Sequence, residues 1–291
     1  YLLAHYFALK RDRERLKLSR SLNDSLPLGA GALAGSTMPL NREMVREELG
    51  FGKVSENSME TVADRDFVAD TLFGLTMIMI HLSRLAEDLI IFSTQEFAFV
   101  SLPDEVCTGS SLMPHKKNPD ALELTRGRCA RVIGDLMSLL TLLKGLPMTY
   151  NRDLQEDKEP LFHAIDTTSD CIEIATLCMR GLTPNRERMG EATRQGFIVA
   201  TELAEYLTKK HLPFREAHRI VGEMVRHCED RNIDLRGLSI DDLKGFSELF
   251  EEDAATLTDP VAVLRQRQTD GAASMTEVES VLEREKVYLS H

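Results

Sequence analysis

Apolar side chains recur along this chain with a helical period and over unusual lengths. From residue 64 to about 97 they fall at Val68, Leu72, Leu75, Met79, Leu82, Ala86 and Leu89, in alternating steps of four and three. Such a heptad stripe predicts one helix, and roughly 34 residues at ~1.5 Å each make a rod of ~50 Å. A second stripe runs from 118 to about 144, with Leu122, Cys129, Leu136 and Leu143 seven apart beside Thr125, Val132 and Leu139. A third, through Leu161, Ile165, Thr168, Ile172, Ala175, Met179 and Leu182, is stopped by Pro184 and Asn185. Rods of this length bury their stripes only against one another, so three long antiparallel helices are expected to form the core.

Beyond about Gly190 the pattern shortens, with amphipathic pieces punctuated by Pro213, Gly237, Gly245, Pro260 and Gly271. Strand-like alternation bounded by hairpin signals is absent. The expected fold is therefore all-α: a long-helix bundle over residues 1–190, its start missing, and a small helical domain over 191–291. The stripes are wide enough to pack on more than one side. The face made by Val68, Leu72, Leu75, Met79, Leu82 and Leu89 in particular is not expected to be covered entirely by its own subunit's bundle, and is expected to hold an oligomer together. A monomeric bundle that satisfies its stripes internally is the alternative.

Charge and composition exclude several classes of function. The 291 residues carry 35 Lys+Arg against 47 Asp+Glu, a formal charge of −12, without a long basic block, which disfavours nucleic acid as a partner. The most apolar stretch, residues 72–80, is far short of the ~20 residues that cross a bilayer. Five cysteines (Cys107, Cys129, Cys171, Cys178 and Cys228) form no C-x-x-C pair and have no histidines at zinc spacing, which fits a reduced, cytoplasmic chain. The chain opens at Tyr1, already in helical pattern, and reads as a piece that begins within an element.

Between the first two rods lies a run that helical periodicity does not explain: Thr108-Gly109-Ser110-Ser111-Leu112-Met113-Pro114-His115-Lys116-Lys117-Asn118-Pro119-Asp120. Asn118, Pro119 and Asp120 are a good N-cap, N1 and N2 sequence, predicting a helix start with free N–H groups and a positive dipole end. Lys116 and Lys117 add charge there. Such a start beneath a Gly-Ser-Ser loop suits a carboxylate-bearing substrate. A polar linker with a helix cap is the plainer alternative, and it loses ground only because lysines, prolines and cap occur together.

Residues 109–119 resemble the G-S-S-x-M-P-x-K-x-N-P signature of the fumarase/aspartase superfamily. Downstream, Leu146-Pro147-Met148-Thr149-Tyr150-Asn151-Arg152-Asp153-Leu154-Gln155-Glu156-Asp157-Lys158-Glu159 resembles the segment typical of the argininosuccinate lyase and δ-crystallin family. The likeness extends to Leu26-Pro27-Leu28-Gly29, Ala200-Thr201-Glu202-Leu203-Ala204 and Pro213-Phe214-Arg215-Glu216-Ala217-His218. The family's S-x-N-D and catalytic-histidine motifs have no counterpart here, since Ser21-Leu22-Asn23-Asp24 precedes the Leu-Pro-Leu-Gly segment. His115 stands where Gln is expected, and Asp270-Gly271-Ala272-Ala273-Ser274 departs from a more Gly-rich turn.

The resemblance implies roles position by position. Ser110 would be the general base on the succinyl Cβ proton, with Lys116 stabilising its alkoxide and the carbanion. Glu123 would orient a histidine of a neighbouring subunit, and Asn118, Tyr150, Gln155 and Lys158 would hold the substrate. By itself Glu123 reads as a solvated helix carboxylate. The implied reaction is the reversible β-elimination of argininosuccinate to arginine and fumarate, the last step of arginine biosynthesis, without metal or organic cofactor. The implied assembly is a homotetramer whose four subunits pool their long helices into one central bundle and share active sites. This stretch alone is expected to be inactive. A catalytically silent crystallin-type homologue and a superfamily lyase acting on another succinyl adduct are the alternatives. Gly29, Gly31 and Gly35 read as turn or packing glycines, not a dinucleotide fingerprint. His81, His163, His218 and His227 read as packing or surface residues.

Overall fold

In the computed structural model the described residues are 1–109, 112–113, 116–193 and 196–290. They form helices α1 (Leu2–Leu22), α2 (Arg42–Leu49), α3 (Ser58–Ala63), α4 (Asp66–Ser93), α5 (Asp120–Leu143) and α6 (Lys158–Gly181), followed by six more. Those are α7 (Arg186–Ala192), α8 (Ala200–Lys209), α9 (Phe214–Arg231), α10 (Ile240–Phe246), α11 (Pro260–Gln266) and α12 (Met275–Leu289). Strand is confined to pairs of two residues: β1 (Ser25–Leu26) with β2 (Lys53–Val54), β3 (Val100–Ser101) with β6 (Thr183–Pro184), and β4 (Thr108–Gly109) with β5 (Lys117–Asn118). The chain divides into two compact units, Tyr1–Asn185 and Arg186–His291.

The three striped segments are the three longest helices, α4, α5 and α6, and their cross-contacts give their directions. Thr76 meets Val132, and Glu87 meets Arg126, so α4 and α5 run antiparallel. Asp135 meets His163, and Arg128 meets Asp170, so α5 and α6 do too. The fourth rod, α1, lies antiparallel along α4, with Tyr1 bonded to Asp88 and Asn23 to Asp70.

Most of the stripe on α4 is covered within the chain, more of it than expected, with Leu75 partly buried. Val68, Leu72, Met79 and Leu82 pack with Cys129, Val132, Leu139, Ala164 and Cys171, while Leu9 and Leu16 of α1 pack against this cluster. Leu85, Ala86 and Leu89 join Leu122 and Cys178 in a second cluster. The physical reason is α1, which supplies the covering surface that the stripe alone does not reveal. The apolar rows left in water are different ones: Ile133, Met137 and Leu140 on α5, and Phe162, Ile165 and Ile172 on α6.

The glycines near the start serve turns. Gly29 sits at φ +89°, and a Cβ there would fall 2.9 Å from the Arg42 side chain, which reaches across to the Leu26 and Leu28 carbonyls and to Ser55. Residues 26–28 and 53–55 are thereby tied together at the end of the bundle where α1 finishes. In the second unit, α8 and α9 enclose Leu203, Leu207, Ala217, Met224, Leu243 and Phe250, and Tyr206 stacks on Phe250 while donating to Asp253.

Candidate functional site

The loop that precedes α5 is closed at its base by β4 and β5, where Thr108 pairs with Asn118 and Gly109 with Lys117. Lys117 is committed to this base: its ammonium bonds the Leu102 carbonyl and lies 2.6 Å from Asp104, whose carboxyl it holds below the usual carboxylate range. Thr108 donates to Asp120, pinning the loop to the first residue of α5. Lys116 remains exposed beside the base, its backbone N–H donating to Met113. Ser110 and His115 lie outside the described residues.

Asn118 does not cap α5. The helix begins at Asp120, preceded by Pro119, and has no side-chain cap. Asn118 is instead engaged in strand pairing with Thr108. The first turn instead carries two acids, Asp120 and Glu123, on the positive end of the dipole. Glu123 is exposed, and the pKa of Arg126 is raised first by the Glu87 carboxylate to which Arg126 donates and then by the charge of Glu123.

Tyr150, Gln155 and Lys158 lie at the opposite end of α5. A helix of 24 residues spans ~36 Å, so one chain does not bring them to Lys116, Asn118 and Glu123. Their own end is well organised. Gln155 donates to the Tyr150 hydroxyl at 2.5 Å, and both side chains are exposed. Thr149, just before Tyr150, has φ +94°, a backbone conformation that a β-branched residue rarely adopts. The Asn151 amide holds it there by donating to the carbonyls of Pro147 and Thr149. The strained backbone beside the exposed tyrosine is thus maintained by dedicated bonds.

Lys158 opens α6 at the rim of a cleft of about 990 Å³ lined by Asn23, Asp64, Arg65, Asp66 and Asp157. Asp157 is 4% exposed and accepts from both Lys158, at 2.8 Å, and Arg65. Partial burial, then the charges of Asp64 and Asp70, push the Asp66 carboxyl up. Sequence reading overlooked Arg65 and Asp157. An Asp-Lys step at a helix start was the available signal, but the arginine comes from 92 residues away and only the fold supplies it.

Among known proteins, residues 1–134 match a family model described as lyase, and residues 197–265 match one described as argininosuccinate lyase C-terminal. The chain is 50% identical to an argininosuccinate lyase of Pelotomaculum thermopropionicum over 271 residues, covering 93% of this chain and 59% of the relative. It is 46% identical to that of Bacillus cereus over 286 residues, covering 98% and 62%. The chain thus spans about 60% of the length of the curated relatives it matches. A solved EDDS lyase variant with bound fumarate superposes with a TM-score of 0.88 at 27% identity, over 99% of this chain and 60% of that one. A class II fumarase from Schistosoma mansoni shares the fold, with a TM-score of 0.69 at 19% identity over 86% and 56%.

Proposed function

Since the chain belongs to the argininosuccinate lyase family of the fumarase/aspartase superfamily, we propose that the full-length protein cleaves argininosuccinate to arginine and fumarate. Ser110 takes the succinyl Cβ proton as its alkoxide. The electron pair of that C–H bond delocalises into the adjacent carboxylate, and Lys116 offsets the resulting dianion. Collapse of the dianion forms the fumarate double bond and breaks the Cα–N bond. The leaving guanidine nitrogen then takes a proton from a histidine that Glu123 of a neighbouring subunit orients. Asn118, Tyr150, Gln155 and Lys158 hold the substrate.

The observation that carries this reading is the separation of the two residue sets along α5. Lys116, Asn118 and Glu123 stand at one end of a ~36 Å rod and Tyr150, Gln155 and Lys158 at the other, so a site that uses both sets takes them from different copies of the chain. A homotetramer with pooled rods supplies that arrangement. The exposed rows on α5 and α6 are the faces available for it.

The test is fumarate release, followed by absorbance, with the full-length protein and with Ser110→Ala. The expected result is turnover by the wild type and its loss in Ser110→Ala with substrate binding kept, whereas Gln155→Ala and Lys158→Ala weaken binding. Equal turnover by Ser110→Ala and wild type would remove the base assignment. A wild type that binds argininosuccinate but forms no fumarate would indicate a silent, crystallin-type homologue.

A further inference from the structure

Asp157 is an anion almost wholly removed from water with a cation on each oxygen. Its Oδ1 accepts from the Lys158 ammonium at 2.8 Å and its Oδ2 from the Arg65 guanidinium. The two cations differ in freedom. Arg65 is 15% exposed in its side chain and is held a second time, its Nη1 donating to the Asp64 carbonyl at 2.6 Å. Lys158 is 51% exposed in its side chain, at the rim of the large cleft. Arg65 also lines a smaller cavity of about 240 Å³ with Met148, Thr149 and Asn151, and so stands between the strained connection that carries Tyr150 and the helix start that carries Lys158.

A buried carboxylate needs its full complement of partners. With Arg65 in place, Asp157 is satisfied from the protein side, and the Lys158 ammonium keeps donors for a ligand in the cleft. Without Arg65, Lys158 is left as the counter-ion of a buried anion among the described residues and is drawn down onto it. A lysine could replace the charge but not the geometry, because the guanidinium donates in two directions at once, to Asp157 and to Asp64.

We propose that Arg65, through Asp157, is a positioning residue that keeps the Lys158 ammonium presented to a substrate carboxylate. This rests on the reading of Lys158 as a substrate-binding residue.

Arg65→Gln in the full-length protein is expected to raise KM for argininosuccinate about 10-fold or more while kcat changes less than about threefold, and Arg65→Lys is expected to restore part of the loss. In a Lys158→Ala background the Arg65→Gln change should have little further effect on KM, because its effect runs through that lysine. A purely architectural arginine behaves differently: it lowers the melting temperature and the active fraction, leaves KM in place, and adds its effect to that of Lys158→Ala. That pattern would overturn the proposal. An activity-independent measurement separates this failure from that of the proposed reaction. With lysines reductively methylated using ¹³C-formaldehyde, the Lys158 resonance, assigned by its absence in Lys158→Ala, should shift in Arg65→Gln and move back toward the wild-type position in Arg65→Lys. An unmoved resonance in Arg65→Gln overturns the positioning role whether or not the protein releases fumarate.

Discussion

His81 Nδ1 lies 2.5 Å from Asp12 Oδ2 in the seam between α1 and α4, where Asp12 is fully shielded from water. The other carboxylate oxygen accepts from Arg15 at 2.5 Å. An ionised carboxylate only accepts hydrogen bonds, so Nδ1 carries the proton in this pair. The bond fixes α1 lengthwise on α4, and α1 in turn covers the apolar stripe of α4 that would otherwise meet water.

Asp12→Ala strands the His81 N–H and the Arg15 fork beside a cavity. Breaking a buried pair from one side costs about 3–5 kcal/mol, so the urea midpoint should fall sharply with little change in slope. A midpoint within error of the wild type would mean that the seam tolerates the loss and that α1 is held by its apolar contacts alone.

Thr149→Gly removes a β-branched side chain from φ +94°. Strain of this kind costs about 1–3 kcal/mol and glycine returns part of that as chain entropy, leaving a net gain in stability of about 1 kcal/mol. Thermal melts should show a small rise, accompanied by a higher KM for argininosuccinate, as Tyr150 loses its fixed approach. A fall in melting temperature would show that the Thr149 side chain contributes more than its backbone costs.

Burial pushes the Cys178 thiol up from 9.0 to about 11. The folded state therefore holds this proton more tightly than the unfolded chain. The associated stability is complete below pH 9 and is lost as pH rises toward about 11. Denaturation midpoints should decline across that interval, and Cys178→Ala should flatten the decline. An equal slope in the variant would place the alkaline sensitivity elsewhere.

Met137→Glu combined with Ile165→Glu should lower the sedimentation coefficient of the full-length protein to that of a smaller species while helical circular dichroism is retained. Both side chains are exposed in the subunit, at 55% and 38%, so charging them leaves its own core intact and opposes only a dry contact between copies. Leu82→Glu should instead unfold the subunit, because Leu82 is 3% exposed inside it. An unchanged assembly in the double variant would remove these rows from the interface.

The sequence by itself determined the long rods, because a heptad stripe is a local property: Val68 through Leu89 lie on one face of a helix whatever covers them. The serine loop and the segment from Tyr150 to Lys158 stand out in the sequence as well, because each is one contiguous run that carries the family resemblance. Tertiary structure decided what periodicity does not encode, namely which surface meets which. It placed α1 over the stripe assigned to neighbouring subunits, and it joined His81, which reads as a packing or surface residue, to Asp12 in one buried bond. It moved Asn118 from helix cap to strand, because its partner Thr108 lies ten residues away in the chain. It set Arg65 against Asp157 across 92 residues. A charge reads as solvated in a sequence, and only the packing of other elements around it removes the water and makes a partner necessary.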